Sequence, residues 1–165
     1  MINDNKEQSI KMMKKTLLLA AMALCIAGCS GEEAGNALVS LSKTGCKSMG
    51  DTRAAGITDA LQESVSYYGT QDGCLMLVHV DACFACETEV NVSVTVKDGV
   101  ISIVEKNDPV TNCVCPYDLT MKIGPLSSRT YQVEIYKSSP GSTQQKRCSF
   151  SIDYKPSLQE HSLEI

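Results

Sequence analysis

The chain has 165 residues, a formal net charge of −4 and no tryptophan. That balance lacks the basic footprint of a nucleic-acid binder, and without exposed indoles there is no stacking platform of the kind many carbohydrate sites use. Once an N-terminal targeting segment is set aside, the remainder suits one domain of ordinary size.

Lys14-Lys15 lead into the apolar run Leu17 to Ile26, which ends in Ala27-Gly28-Cys29. A basic n-region, a short apolar h-region and small residues before a processing site make up an export signal. A helix from Thr16 to Ala27 rises only about 18 Å against a hydrocarbon core of about 30 Å, too short for a stable span. Ile26-Ala27-Gly28-Cys29 resembles the lipobox of bacterial lipoproteins. The resemblance implies diacylglyceryl transfer to the Cys29 thiol and cleavage just before it, so residues 1–28 are expected to be a lipoprotein signal peptide. Residues 1–12 fit that signal poorly, and Met12 or Met13 would be the conventional start. Acylation of Cys29 would anchor the chain to a membrane, each buried methylene adding about 0.8 kcal/mol. Ser30 after the cysteine is compatible with sorting to the outer membrane. Glu32-Glu33 resembles a surface-export signal, with a solvated linker as the alternative.

Residues 29–60 are rich in small and polar types and are expected to form the lipidated cysteine and an irregular tether. Leu38 to Leu41 is the one short strand in it, and Asp59 to Gln62 is a single helical turn. From residue 61 to 156 the pattern is strand after strand. Ser64 to Tyr68 is followed by a turn at Gly69 to Gly73, and Cys74 to Val80 is almost wholly apolar, as in a strand covered on both faces. Val90, Val92, Val94 and Val96 alternate with Asn91, Ser93 and Thr95, the period of a half-buried strand. Asp98-Gly99 then turns the chain into Val100 to Val104, a strong hairpin signal. Tyr117 to Ile123, Tyr131 to Ile135 and Cys148 to Tyr154 alternate in the same way, and residues 157–165 look like a C-terminal tail. About seven strands with no long helix predict an all-β fold, an antiparallel β-sandwich of Ig-like type, with a small barrel as the alternative.

Of nine cysteines, Cys25 falls in the signal and Cys29 is the lipidation site. Cys46, Cys74, Cys83, Cys86, Cys113, Cys115 and Cys148 remain, an odd number in an oxidising compartment. Cys83-Phe84-Ala85-Cys86 and Cys113-Val114-Cys115 are close pairs at strand ends or loops. Cross-linking is the leading expectation for Cys83, Cys86, Cys113 and Cys115, each bond typically adding about 2–4 kcal/mol. A tetrahedral zinc site of the same four thiolates is second, with His79 and Asp81 near enough to substitute or support. Redox chemistry at the C-x-x-C is third, because Glu87 and Glu89 would raise a thiol pKa and no helix N-terminus is there to lower it. Cys74 and Cys148 occupy apolar-facing strand positions, suited to core packing or to a bridge between sheets. Cys46 is expected to be the odd thiol or a loop staple. Asp118 is placed to accept backbone N–H groups near the cysteines. His79 is expected on the second face of its strand rather than as a ligand, and His161 is expected in solvent.

His79 through Cys86, Cys113-Val114-Cys115-Pro116-Tyr117-Asp118-Leu119 and Ile123-Gly124-Pro125-Leu126 resemble a group of small secreted lipoproteins of Gram-negative bacteria. Members pair a cysteine-rich loop with a C-x-C-P-Y-D-L segment, and the resemblance runs from about Val65 to Tyr154. It implies a β-rich fold and a shared cysteine cluster, and it carries no catalytic role. No Ser/His/Asp set, phosphate loop or paired-carboxylate motif is recognisable. The expected function is therefore non-enzymatic, without a cofactor unless zinc occupies the cluster. The chain would be a binding or structural module at the outer membrane or cell surface, with an unidentified protein or small ligand as partner. A metal-binding lipoprotein is the alternative, and a thiol oxidoreductase the third reading.

Overall fold

A computed structural model describes residues 36–47, 62–86, 88–108 and 113–165. The signal peptide, Cys29, the Glu32-Glu33 pair and most of the helical turn expected at Asp59 to Gln62 lie outside the described residues. The described chain forms nine strands: β1 (Leu38–Lys43), β2 (Ser64–Gly69), β3 (Leu75–Ala85), β4 (Val90–Lys97), β5 (Val100–Asn107), β6 (Val114–Ile123), β7 (Arg129–Ser138), β8 (Gln145–Tyr154) and β9 (His161–Glu164). A five-stranded sheet, β1-β6-β3-β2-β9, packs on a four-stranded sheet, β4-β5-β7-β8. The all-β sandwich read from the sequence is the observed architecture.

Alternation builds the core. Leu75 and Leu77 of β3, Leu119 of β6, Ile101 and Ile103 of β5 and Ile135 of β7 are buried on the facing surfaces. The valine strand β4 keeps Asn91, Ser93 and Thr95 exposed or nearly so and turns Val90 and Val94 inward. The β4–β5 hairpin closes with Lys97 opposite Val100. Asp98 and Gly99 both take left-handed φ, 51° and 79°, as a two-residue hairpin turn requires.

Three features depart from the sequence expectation. β5 and β7 pair in parallel, whereas the alternation pattern predicts an antiparallel sandwich. The chain leaves the smaller sheet after β5, runs back through the larger one as β6, and returns as β7 beside β5 in the same direction. The short strand expected at Leu38 to Leu41 is present as β1, but it belongs to the sandwich rather than to a tether and pairs with β6. The expected tail supplies β9, which pairs with β2. The two additions account for nine strands instead of about seven, and the sandwich extends on both sides of residues 61–156.

The long sides of the sandwich are stitched. Ala37 N–H donates to Val94 O at 2.8 Å and Asn36 bridges Thr95, tying the β1 side to β4. On the opposite side the Tyr67 ring lies between Phe150 and His161, with centroids 5.3 and 5.6 Å away. There Gly69 lets the chain after β8 cross against β2. A Cβ at Gly69 would collide with the Lys155 carbonyl oxygen and lie 2.9 Å from that of Pro156. Gly69→Ala is therefore expected to cost about 1–3 kcal/mol in a urea melt. Gly45→Ala, whose Cβ meets nothing within 4 Å, is the control and should leave the midpoint in place.

Candidate functional site

The cysteine-bearing ends of β3 and β6 define one end of the sandwich. β3 passes through an irregularity between His79 and Ala82, where Asp81 has φ of 55°. The bulge is pinned from β6: Asp118 Oδ1 accepts Asp81 N–H at 3.1 Å, the backbone role expected of Asp118. Lys47 Nζ donates to both Asp81 Oδ1 (2.8 Å) and Asp118 Oδ1 (2.5 Å). Hydrogen bonds from Lys47 hold the Asp118 carboxyl below its ordinary range against the opposing pull of burial.

Beyond the bulge the strand pairs Phe84 with Cys115 and Cys83 with Pro116. Partners share a face and neighbours alternate, so Cys83 stands on the face opposite Cys115. The four-cysteine set expected from sequence is corrected accordingly. Cys86 is bonded to Cys113, and Cys115 is bonded to Cys46. Cys46 takes the place assigned to Cys83, which is a free thiol with Cys74 and Cys148. The loop after β1 carries Cys46 there, because Thr44 N–H and Lys47 N–H extend the β1–β6 pairing to Asp118 O and Pro116 O.

The two disulfides touch. Cys86 Sγ lies 3.0 Å from Cys115 Sγ, and the sulfurs of Cys46, Cys86 and Cys115 fall within 4.8 Å of one another. The inner sulfurs belong to buried residues, Cys86 and Cys115. The outer ones, Cys46 and Cys113, belong to exposed residues.

Behind this cluster lies a chain of charges between the sheets that the sequence pattern does not assemble. His79 faces the core from β3, not a second face, and is 2% exposed. Its Nδ1 is 2.8 Å from Glu105 Oε1 on β5, and its Nε2 is 3.7 Å from Glu63 Oε2, just before β2. Glu63 also accepts from Arg147 Nη2 of β8 at 2.5 Å and from Cys83 N–H at 3.3 Å. Signs alternate along Glu105, His79, Glu63 and Arg147. Burial alone would push His79 down, but its hydrogen bond to Glu105 and its ion pair with Glu63 outweigh it and raise the imidazole to about 9. Burial would likewise raise Glu63, yet His79 and Arg147 hold it at about 2. The imidazolium and both of its faces are therefore a built ion network, in which each charge has a partner.

Lys137 of β7 lies over the Phe84 ring, 4.5 Å from its centroid, and donates to Cys83 O. Burial pushes the free thiols up: Cys83 above its ordinary value and Cys148 to about 11. Both stay protonated at neutral pH and are weak nucleophiles. Cys74 is buried at the other end, against Gly124. His161 is exposed, as expected, but stacks on Tyr67.

Comparison of the chain with models of known families, with curated proteins and with solved structures finds no match.

Proposed function

We propose that the chain is an exported, lipid-anchored module of Ig-like use, held to the outer membrane or cell surface through Cys29 and serving binding or structure rather than catalysis. The observation that carries this reading is the conjunction of Ile26-Ala27-Gly28-Cys29, a run that resembles a lipobox, with two disulfides stapling one end of a β-sandwich. Disulfides persist in exported proteins and are rare where thiols are kept reduced. The protonated free thiols and a His79 held by a hydrogen bond to Glu105 and an ion pair with Glu63 agree with a domain whose polar interior is structural. The partner is an unidentified protein or small ligand, and the resemblance to small secreted lipoproteins is consistent with this setting.

The test is expression of the full chain in a Gram-negative host with labelled palmitate. The expected result is a labelled, membrane-bound product beginning at Cys29, with label, cleavage and membrane association all lost in Cys29→Ser. A soluble product with residues 1–28 retained and Cys29 unmodified would overturn the reading. Protease added to whole cells then separates surface display from the inward-facing leaflet.

The close packing of sulfurs favours a second reading, zinc binding by the reduced chain. Its ligands would be Cys46, Cys86 and Cys115, whose sulfurs cluster, with Cys113, the partner of Cys86, as the fourth; both disulfides must give up their thiolates before a tetrahedral site can form. Native mass spectrometry of protein purified under reducing conditions should then show about one zinc per chain, removed by a chelator. The third reading, a C-x-x-C oxidoreductase using Cys83 and Cys86, has the least support, since Cys83 is unpaired and its thiol pKa is raised.

A further inference from the structure

We propose that Cys46, Cys115, Cys86 and Cys113 form a thiol–disulfide relay, which passes a reducing equivalent from one exposed loop to another through direct exchange between two buried sulfurs. The substrate class is a dithiol, or in the reverse direction a disulfide. The proposal does not depend on the lipid anchor.

The order of the sulfurs carries the inference. Exposed Cys46 is bonded to buried Cys115, buried Cys115 touches buried Cys86 at 3.0 Å, and Cys86 is bonded to exposed Cys113. Two independent staples have no need to place sulfurs of different bonds in contact. The contact needs to close by only about 1 Å to reach a disulfide length. Cys86 N–H donates to Cys113 O at 3.0 Å, so the backbone holds the two strands together while the bond between their side chains is exchanged.

A dithiol in its thiolate form attacks Cys46 Sγ, the sulfur of its bond that belongs to an exposed residue. The Cys46–Cys115 bond breaks and its electron pair leaves on Cys115 Sγ. That thiolate attacks Cys86 Sγ. The Cys115–Cys86 bond forms, the Cys86–Cys113 bond breaks, and the electron pair leaves on Cys113, which takes a proton from water. The second thiol of the reductant displaces Cys46 from the mixed disulfide and departs as a disulfide. Two electrons have moved from the dithiol to the protein, which now holds thiols at Cys46 and Cys113 and one new bond, Cys86–Cys115. The exchange runs outward because a thiolate at Cys113 is solvated, whereas one at Cys115 would be buried. Cys83 and Cys148 stay out of it, their thiols protonated.

Two experiments on the oxidised chain test this. The first adds less than one equivalent of dithiothreitol, quenches with an alkylating reagent and maps the peptides. Alkyl groups on Cys46 and Cys113 together, with a Cys86–Cys115 cross-linked peptide, are expected. Alkylation of Cys46 and Cys115 with Cys86–Cys113 intact overturns the relay. The second uses Cys46→Ser, which leaves Cys115 without its partner and needs no reductant. Cys115 should then displace Cys113, so that label on Cys113 exceeds label on Cys115 by about tenfold or more. A Cys46→Ser protein labelled at Cys115 overturns the proposal. If that variant fails to fold, the dithiothreitol mapping of the unaltered chain still decides.

Discussion

Glu105→Ala is expected to lower the unfolding free energy by about 3–5 kcal/mol, the usual cost of removing one partner of a buried ion pair. Glu105 is fully buried on β5 and takes the His79 imidazolium at 2.8 Å from the opposite sheet. Without it, His79 faces only Glu63, which is already engaged by Arg147. The pair is not thereby a net source of stability. Two charges removed from water lose several kcal/mol each in hydration. The double substitution His79→Leu with Glu105→Leu is expected to recover most of the loss, because no buried charge is left unpaired. A urea melt of the wild type, the single variant and the double variant measures all three. A single variant within about 1 kcal/mol of wild type would sink the account.

The same network gives the fold a pH signature. His79 is raised from its ordinary 6.5 to about 9, so its contribution is complete below 6.5 and is lost as pH rises through 9. Each tenfold gain in proton affinity on folding is worth about 1.4 kcal/mol, which makes the loss on the order of 3 kcal/mol. Glu63 is lowered from 4.5 to about 2, so its contribution is present above 4.5 and fades as pH falls through 2. Between 4.5 and 6.5 both are intact. His79→Gln should flatten the alkaline limb and shrink the acid limb as well, since His79 is one of the two groups that hold Glu63 down, so stability measured against pH should change at both ends.

The apolar spacing carries a signal for this network that the expectation of His79 on a second face passes over. Leu75 and Leu77 continue to His79 with period two, and Ile101 and Ile103 continue to Glu105, so each charged residue stands on an apolar face. What the sequence could not show is that the two faces meet, since that depends on which strands share a sheet. The β4–β5 hairpin was fully legible, because its alternation and its turn residues are local. β1 was legible as a short strand at Leu38 to Leu41, but not as part of the sandwich, because a bulge between Leu38 and Ser40 leaves its half-buried leucines three apart rather than two. β9 offers only Leu163 as an inward residue in four. Cross-linking of the two cysteine loops is observed, as expected, but Cys83 was misplaced in the set for a related reason. Proximity in sequence favoured Cys83 and Cys86, but strand alternation sends Cys83 away from Cys115. The partner that replaces it comes from a segment with almost no strand pattern.

Removing the disulfides is expected to cost nearly as much as breaking the ion pair, and the two bonds should differ. Cys46–Cys115 spans a sequence separation of 69 and Cys86–Cys113 one of 27. Constraint of the unfolded chain grows with the logarithm of loop length, giving about 4 kcal/mol for the longer loop and about 3.5 for the shorter. Cys46→Ser with Cys115→Ala is therefore expected to destabilise slightly more than Cys86→Ala with Cys113→Ser. Alanine is used at the two buried positions so that no hydroxyl is stranded there. The longer bond also holds the loop that follows β1 against β6, so its loss should raise hydrogen exchange in Leu38–Lys43, while loss of the shorter bond should act at the ends of β3 and β6. Because the loops overlap, cutting one enlarges the unfolded freedom left to the other, and the two losses should not add. Denaturant midpoints for both double variants and for the fully reduced chain would show this. If both variants lie within about 1 kcal/mol of the oxidised wild type, the bonds do not act on the unfolded chain, and their retention would have to rest on their sulfur chemistry.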